Sequence, residues 1–498
     1  MDKKLDLRVE ESLSERVVKG GFWVFSLRLI ERGFSLVRLI ILARLLSPND
    51  FGLLGISLLA LSILGVFTQT GFESALIQRK ENTEKYLNSA WTVQIIRGLF
   101  LFSVLFIISP LVGGFFNTPR ASLIIRFLAL TQILGAFKNI GIIYFTKELE
   151  FNKKFVYSFV SSLVDIIVSV SLAFILRNVW ALVWGLLAGS FTSLILSYIL
   201  SSYRPRIEFN LEKIKELFSF GKWILGSNIL IFFVTQGDDI FVGKLLGPLA
   251  LGLYQMAYRF SNMPATEITH VISQVTFPAY SKMQDNLPRL RESYLRVLQL
   301  TAFLAFPIAG LIFILAPDFT RLFLGEKWMP MVPAMQVLCI FGATRSIAAT
   351  IGPLLYSVGR PKIQSKLSSL QLLAMLIIIY PLTVKWGILG ASLGVVIPNI
   401  LVLILVMAEL KDIIKLSYKD FLISISSVLV TLFIIAFLIL IKQYFRLNVN
   451  PSNFFIIAIL YCLFCYLILY SRDRKTGGKL RKQIQFVFGS LIGGTHDK

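Results

Sequence analysis

The stretch GGFWVFSLRLIERGFSLVRLIILARLL, residues 20–46, is long and apolar enough to cross a bilayer. It nevertheless carries four arginines and one glutamate: Arg28, Glu31, Arg32, Arg38 and Arg44. A charged side chain at the centre of a bilayer costs roughly 2.5–3.5 kcal/mol even on lenient insertion scales, so such residues tend to face a protein interior or a watery cavity. Arg28 and Arg32 are one helical turn apart and share a face. Paired guanidinium groups of this kind suit a phosphate or a carboxylate.

The rest of the chain has the composition of a multi-span membrane protein. Of its 498 residues 56% are hydrophobic, and its mean hydropathy is +0.74. Apolar runs of about 20 residues recur along its length and predict an all-α integral membrane protein with about fourteen transmembrane helices. The predicted spans are 20–46, 50–72, 88–114, 121–145, 156–176, 179–201, 219–246, 251–281, 295–317, 332–357, 364–384, 386–409, 420–441 and 453–471.

The distribution of positive charge predicts the topology. The net charge is +22, and most Lys and Arg residues fall in alternate loops and in the two terminal segments rather than on one face. This is the positive-inside pattern, which with an even number of spans places both termini in the cytoplasm. It also argues against a nucleic-acid partner. We expect no cleavable signal peptide, because the first 19 residues are polar and no small-residue cleavage site follows the first apolar run.

An internal repeat indicates how the spans are grouped. LARLLSPNDFGLL at Leu42–Leu54 matches VGKLLGPLALGLY at Val242–Tyr254, 200 residues later, with Pro48 and Gly52 recurring as Pro248 and Gly252. Pro and Gly at fixed offsets mark the same tight connection between spans. We therefore predict two pseudo-symmetric six-helix lobes that are parallel repeats, followed by two further helices. The predicted divisions are a cytoplasmic N-terminal segment 1–19, an N-lobe 20–203, a cytoplasmic linker 204–218, a C-lobe 219–409, spans 13 and 14 over 410–471 and a basic tail 472–498.

Several motifs then resemble a known family. VKGGFW, LARLLSPNDFGLLGI and GFESALIQRKE in the first lobe, and FGKWILGSNIL and DDIFVGKLLGPLALGLYQMAYRFSNMP in the second, resemble the polysaccharide transporter branch of the multidrug/oligosaccharidyl-lipid/polysaccharide exporter superfamily. The likeness is greatest to oligosaccharide flippases of the kind that move colanic or teichuronic acid repeat units. It covers residues 17–90 and 218–283 most strongly.

The resemblance implies a V-shaped helical fold that works by alternating access in the cytoplasmic (inner) membrane of a bacterium or archaeon. It implies that the cargo is an undecaprenyl-diphosphate-linked oligosaccharide, flipped to the outer leaflet for lipopolysaccharide or exopolysaccharide biosynthesis, with membrane lipids and polysaccharide polymerase or export machinery as partners. In related lipid II flippases, cavity arginines on the first and eighth spans serve the diphosphate. The matching positions here are Arg28, Arg32 and Arg259. The last two helices form a groove for the lipid tail in those relatives.

Arg345 is a further candidate, because it lies too deep in its predicted span for its side chain to reach the membrane interface easily. Other cations within spans, such as Arg44, Arg126 and Lys138, lie nearer span ends, where long side chains snorkel to the interface. We interpret Arg28, Arg32, Arg259 and Arg345 as facing a cavity, and buried structural ion pairs are the alternative. Polar amides inside spans are interpreted as helix-packing contacts rather than ligands: Gln69, Gln94, Asn139, Asn228, Gln236 and Asn262.

Two carboxylates, Asp238 and Asp239, lie past the middle of the seventh span. They are costly there unless they are paired, protonated or bound to a cation. One interpretation is a coupling site for Na⁺ or H⁺, and the favoured one is a salt bridge to an arginine of the first span. His270, one turn from Glu267, is either a proton relay or, more simply, a hydrogen-bonded packing residue.

Transport is favoured over two other functions. A membrane polymerase or glycosyltransferase of envelope glycan assembly would need a catalytic cluster near an interface, and this chain has two histidines and no long predicted external loop. A drug or cation antiporter of the same superfamily would suit an acidic cavity, whereas arginines predominate here. We expect no catalytic residue, no bound metal and no resident cofactor.

Overall fold

The computed structural model describes residues 31–69, 71–78, 83–148, 150–426, 431, 434, 454, 457–461 and 463–468. Over these residues the regular structure is helical, and none of them lies in a strand. Two compact units divide the chain, Met1–Phe232 and Phe233–Lys498. The predicted N-terminal segment, Arg28, most of spans 13 and 14 and the basic tail lie outside the described residues.

The first unit is built from helices joined by short turns: α1 (31–45), α2 (Pro48–Phe67), α3 (Phe72–Gln78), α4 (Glu84–Phe115), α5 (Pro119–Ala136), α6 (Ile143–Lys147), α7 (Phe151–Leu176) and α8 (Trp180–Leu200). A core of Leu53, Leu128 and Val183 joins α2, α5 and α8. Small residues let α4 and α5 approach each other closely. A methyl group on Gly98 of α4, for example, would lie 2.3 Å from the Cβ of Ala136.

The connection between α1 and α2 is the tight corner that the repeat predicts. Ser47 caps α2 through a reciprocal pair of hydrogen bonds with Asp50, and Pro48 occupies the first turn. Each of these choices favours the start of a helix. The other carboxylate oxygen of Asp50 accepts a hydrogen bond from the backbone N–H of Val179 at 3.0 Å, which ties the corner to the start of α8.

The predicted span 121–145 is wrong as a single helix. The structure breaks it into α5 and a second segment, Ile140–Lys147, that begins with a 3₁₀ turn, with a bend of 75° between them. Asn139 causes the break, because its side-chain oxygen accepts a hydrogen bond from the N–H of Gly141 and so starts a new helix. Its amide nitrogen donates to the carbonyl oxygen of Tyr203 at 2.6 Å, which makes it a packing residue as predicted.

An extended segment, residues 201–210, follows α8 and lies along the start of α4; we call it the strap. The side chain of Asn88 accepts hydrogen bonds from the Tyr203 hydroxyl at 2.7 Å and from the N–H of Arg206 at 2.9 Å. The N–H of Glu208 donates to the Thr92 hydroxyl at 2.9 Å. The predicted linker is therefore docked on α4 over its first half, and helix α9 begins within it at Leu211.

The second unit contains most of α9 (Leu211–Ser281) and the helices α10 (Leu287–Phe319), α11 (Val332–Ala348), α12 (Ile351–Ser357), α13 (Pro361–Ile414) and α14 (Tyr418–Ser424). A π turn (Thr320–Leu324) and a 3₁₀ helix (Glu326–Met331) connect α10 to α11. The main core of this unit gathers Tyr294, Leu354 and Leu410, which are almost fully buried.

The two longest helices are each broken and fold back on themselves. α9 is interrupted at Gly247, with φ 80°, and α13 at Trp386 and Gly387, with φ 57° at the glycine. Residues 238 and 254 would be about 24 Å apart along an unbroken helix, yet their side chains are hydrogen-bonded. These breaks confirm the predicted boundaries between spans 7 and 8 and between spans 11 and 12.

Seven helices within the described residues are long and apolar enough to cross a membrane, or eight if the bent pair of α5 and Ile140–Lys147 is one span. The doubled helix α13 counts as one of them. The protein is therefore an all-helical multi-pass membrane protein. The predicted total of about fourteen spans, the grouping into lobes and the orientation of the termini stay predictions.

Candidate functional site

The predicted site residues occupy several different environments. Arg32 on α1 and Arg259 on α9 have exposed side chains, Arg345 on α11 is half-buried, and Asp238 on α9 is 2% exposed. The side chains of Glu267 and His270 lie outside the part of the structure that is described, as does Arg28. Of the predicted residues, the second unit brings together the two aspartates and Arg345.

The fold-back of α9 at Gly247 creates a polar cluster inside the second unit. The Tyr254 hydroxyl donates to one carboxylate oxygen of Asp238 at 2.6 Å, and the amide nitrogen of Gln255 donates to Asp239 at 2.9 Å. Each bond joins a residue before the break to one sixteen positions later. These bonds tie the two halves of α9 together, and a buried carboxylate gains a short, charge-assisted hydrogen bond.

Arg345 brings a positive charge to this cluster from α11. Its guanidinium donates to the Tyr258 hydroxyl at 3.2 Å, and it lies within electrostatic range of Asp238. The rings of Tyr254 and Tyr258 are one turn apart on α9, with centroids 6.4 Å from each other, and Phe341 packs against Tyr258 at 5.9 Å. We call these residues the Asp238 cluster: Asp238, Asp239, Tyr254, Gln255, Tyr258 and Arg345.

One oxygen atom of the Asp238 cluster is left without a hydrogen-bond partner among the described residues. It is the second carboxylate oxygen of Asp238, which is buried. With both carboxylates ionised and Arg345 protonated, two negative charges and one positive charge leave a net charge of −1. Hydroxyl, amide and carboxylate oxygens suit a proton or a hard monovalent ion. Three or more His, Cys, Asp and Glu side chains do not converge on a metal position anywhere in the described part of the chain.

The salt bridge predicted for the aspartates is not made by Arg38 of the first span. Arg38 instead forms a bidentate ion pair with Asp165 of α7, in which each of its terminal nitrogens lies 2.7 Å from one carboxylate oxygen. The sequence places Arg38 inside the first span but does not pair it with Asp165, because hydropathy does not define which helix faces meet. An acid at a similar depth in a neighbouring span is the one signal that would have suggested the pair.

Other cations within the membrane-spanning helices also have structural partners. Arg97 of α4 donates to the carbonyl oxygen of Gly65 at 2.9 Å and to the Thr68 hydroxyl at 3.2 Å, so it satisfies groups at the end of α2. Arg126 of α5 donates to the Ser109 hydroxyl at 2.9 Å and lies over the Phe106 ring, 4.9 Å from its centroid. These arginines hold helices together, which explains part of the excess of positive charge inside the spans.

The polar amides bear out the interpretation as packing residues where the structure describes their bonds. The Gln94 amide on α4 donates to the carbonyl oxygens of Gly135 and Ala136 at the end of α5. The Asn228 amide donates to the side-chain oxygen of Gln69 at 2.8 Å within the first unit. Asn262 differs, because its buried side-chain oxygen has no hydrogen-bond partner among the described residues.

Known proteins resemble this chain over most of its length. Residues 41–333 match the family described as "Polysaccharide biosynthesis protein". The lipopolysaccharide biosynthesis protein WzxC of Escherichia coli (strain K12) is 27% identical over 417 residues, 83% of this chain and 85% of that protein. The teichuronic acid biosynthesis protein TuaB of Bacillus subtilis (strain 168) is 26% identical over 353 residues, 70% of this chain and 73% of that protein.

A solved structure shares the fold. The lipid II flippase MurJ in an inward closed conformation superposes with a TM-score of 0.72, over 91% of this chain and 99% of that one, at 18% sequence identity. At this identity the likeness concerns the fold alone. It agrees with the all-α membrane fold expected from the sequence.

Proposed function

This chain belongs to the polysaccharide biosynthesis protein family, and from that premise we propose that it is a flippase that moves lipid-linked oligosaccharides across a membrane. The observation that carries the proposal is the family match over residues 41–333, supported by relatives named for the synthesis of surface polysaccharides and by a fold shared with a lipid flippase. A transporter, and not a glycan-assembling enzyme, is the class that these relatives and this fold support.

The finer assignment is part of the same proposal and comes from the family resemblance and the charge pattern of the loops. The cargo is an undecaprenyl-diphosphate-linked repeat unit, carried by alternating access from the cytoplasmic to the outer leaflet of the inner membrane, with both termini in the cytoplasm. A diphosphate needs cations where it crosses an apolar layer, and guanidinium groups chelate phosphate oxygens in pairs. Polysaccharide polymerase or export machinery would take up the flipped unit.

Arg28, Arg32, Arg259 and Arg345 are the proposed contacts to the diphosphate. The side chains of Arg32 and Arg259 are exposed on α1 and α9. Arg345 already donates to Tyr258, so a contact to the diphosphate would have to share or replace that bond.

Coupling to an ion gradient would involve the Asp238 cluster. With both carboxylates ionised and Arg345 protonated, a single proton or Na⁺ ion would make the cluster neutral. The unpartnered oxygen of Asp238 would be the first contact for that ion. Glu267 and His270 on the second half of α9 would be the route along which a proton leaves.

Reconstitution tests the function directly. Purified protein in liposomes receives undecaprenyl diphosphate bearing a fluorescent oligosaccharide, and a membrane-impermeant quencher measures how fast the saccharide crosses. We expect flipping by the wild-type protein and at least tenfold slower flipping by Arg32→Ala and Arg259→Ala. Arg289→Ala, which removes another exposed helical arginine on α10, is the matched control and should flip at the wild-type rate.

The outcomes separate the alternatives. Flipping that is unchanged in both arginine variants would leave the function standing but remove these side chains from the path of the diphosphate. If the wild-type protein moved no lipid-linked glycan and instead exchanged a cationic dye for protons, it would be a drug antiporter. Comparing rates with imposed Na⁺, H⁺ and electrical gradients identifies the driving ion.

A further inference from the structure

One face of α1 packs along α7 in three successive contacts. Near the beginning of the described part of α1, Phe34 meets Phe159 edge to face with ring centroids 5.7 Å apart. Arg38 then pairs with Asp165. Further along, Leu42 is buried in a cluster with Ala173 of α7. Positions 34, 38 and 42 are each four residues apart and therefore share one helix face.

The ion pair in the middle of this contact face is held on both sides. Two parallel hydrogen bonds of 2.7 Å fix both the plane and the direction of the Arg38 guanidinium. On the other side, α8 presses against Asp165: a methyl group on Gly185 would lie 2.6 Å from a carboxylate oxygen, and one on Gly189 would lie 2.9 Å from the Asp165 Cβ. The packing of α8 therefore restricts the position of the Asp165 carboxylate, and this position in turn determines where the Arg38 guanidinium lies.

Arg32 lies on a different face of α1 from this contact. Arg32 precedes Arg38 by six residues, which at 100° per residue puts it about 120° around the helix. That direction is away from the contact with α7, and the Arg32 side chain is exposed. A rotation of α1 about its axis would turn Arg32 by the same angle. A bidentate ion pair constrains the orientation of its two groups more narrowly than non-directional apolar contacts do.

We propose that Arg38 and Asp165 form a positioning pair that fixes the rotation of α1 and thereby aims Arg32 at the diphosphate of the cargo. The proposal rests on the proposed flippase function. Arg38 is then not a ligand of the cargo, although it is an in-span arginine on the same helix as the proposed ligands.

A set of variants in the flipping assay tests the proposal. Asp165→Asn and Arg38→Gln each leave one uncompensated charge, so we expect a tenfold or greater rise in the substrate concentration needed for half-maximal flipping, with a smaller change in maximal rate. The double variant Arg38→Gln/Asp165→Asn replaces the ion pair by two amides that can hydrogen-bond and should recover to within about threefold of wild type. If Arg38 bound the diphosphate itself, the double variant would be as impaired as Arg38→Gln.

The decisive comparison adds Arg32→Ala to the set. If Asp165 acts only by positioning Arg32, its substitution has no effect once the Arg32 side chain is removed. Asp165→Asn should therefore cause no further loss of affinity for the cargo in an Arg32→Ala background. Additive losses would show a merely structural pair and overturn the proposal, as would an Arg32→Ala variant with wild-type affinity. Failure of the wild-type protein to flip any lipid-linked glycan would instead overturn the function on which the proposal rests.

A folding defect is handled separately. Each variant is first checked for a single thermal transition and a monodisperse elution profile in detergent. If Asp165→Asn does not fold, Arg38→Lys takes its place, because it keeps the charge and loses the bidentate geometry. An affinity loss in Arg38→Lys that disappears in the Arg32→Ala background supports the proposal, and a loss that persists there contradicts it.

Discussion

Replacing Tyr254 by phenylalanine removes one oxygen atom from the Asp238 cluster and changes little else. The Tyr254 side chain is fully buried, and its hydroxyl donates to the buried Asp238 carboxylate at 2.6 Å. A hydrogen bond to a charged group contributes about 1.5–3 kcal/mol. In a domain of roughly this size each kcal/mol corresponds to about 2–4 °C in Tm. We therefore expect Tyr254→Phe to lower the Tm of the purified protein by about 3–12 °C in a fluorescence-detected melt.

Tyr280 provides a matched control in the same unit. It is 1% exposed, and its hydroxyl has no hydrogen-bond partner among the described residues, so the same substitution deletes an oxygen without breaking a bond. Tyr280→Phe should leave Tm unchanged or raise it slightly. Equal decreases for the two variants would refute the assignment, because they would show that the loss comes from packing and not from the Tyr254–Asp238 bond.

The charge of Asp238 can be tested in the same way. In an Asp238→Asn background the Tyr254 hydroxyl donates to a neutral amide, a bond that contributes only about 0.5–1.5 kcal/mol. Tyr254→Phe should therefore cost about half as much there as in the wild-type protein. An identical cost in the two backgrounds would mean that Asp238 is already neutral in the folded protein.

Two further predictions concern α13 and the strap. A methyl group on Gly390 would lie 1.8 Å from the Leu382 carbonyl oxygen, so Gly390→Ala should destabilise the second unit by about 1–3 kcal/mol or more. The control is Gly65→Ala on α2, where a methyl group would have nothing within 4 Å, and it should be neutral or stabilising by up to ~1 kcal/mol. Both effects are measured as changes in Tm. The Lys213 ammonium, 2.5 Å from Glu208, holds the pKa of that carboxyl below its usual range. The unfolded chain therefore binds the proton of the Glu208 carboxyl more tightly than the folded chain does. The stability that the ionised carboxylate contributes is complete above about pH 4.3 and is lost as pH falls through the pKa of the folded protein. Glu208→Gln should therefore reduce the fall of Tm at acid pH.

Sequence reasoning predicts the helices of this protein better than their contacts. Hydropathy places the ends of the predicted spans close to the breaks at Gly247 and Gly387, because a chain that leaves and re-enters an apolar layer interrupts its apolar run there. The same signal misses the bend at Asn139, since one side-chain cap breaks an otherwise apolar run. It also misses the docking of the strap, which depends on the side chain of Asn88 meeting particular backbone groups.

The candidate site shows the same limit. The free-energy cost of placing a charge inside a membrane span identifies Asp238 and Arg345 as candidate functional residues. The structure brings these two residues together. It pairs Arg38 with Asp165 and not with the acids of the seventh span. Which of several charges meet depends on the rotation of each helix about its axis, and an apolar composition on all sides of a span leaves that rotation undefined.

The corner that follows Leu46 and recurs after Leu246 has a consequence for the ancestry of the chain. One copy makes its turn with a capped serine before Pro48, and the other with a left-handed Gly247 before Pro248. The two copies of the repeat thus use different residues to turn the chain before the same proline. Reconstruction of a common precursor should therefore hold the prolines and the glycines of Gly52 and Gly252 constant and leave the turning residue open. Exchanging the two turning residues between copies would show whether either solution still suffices for both.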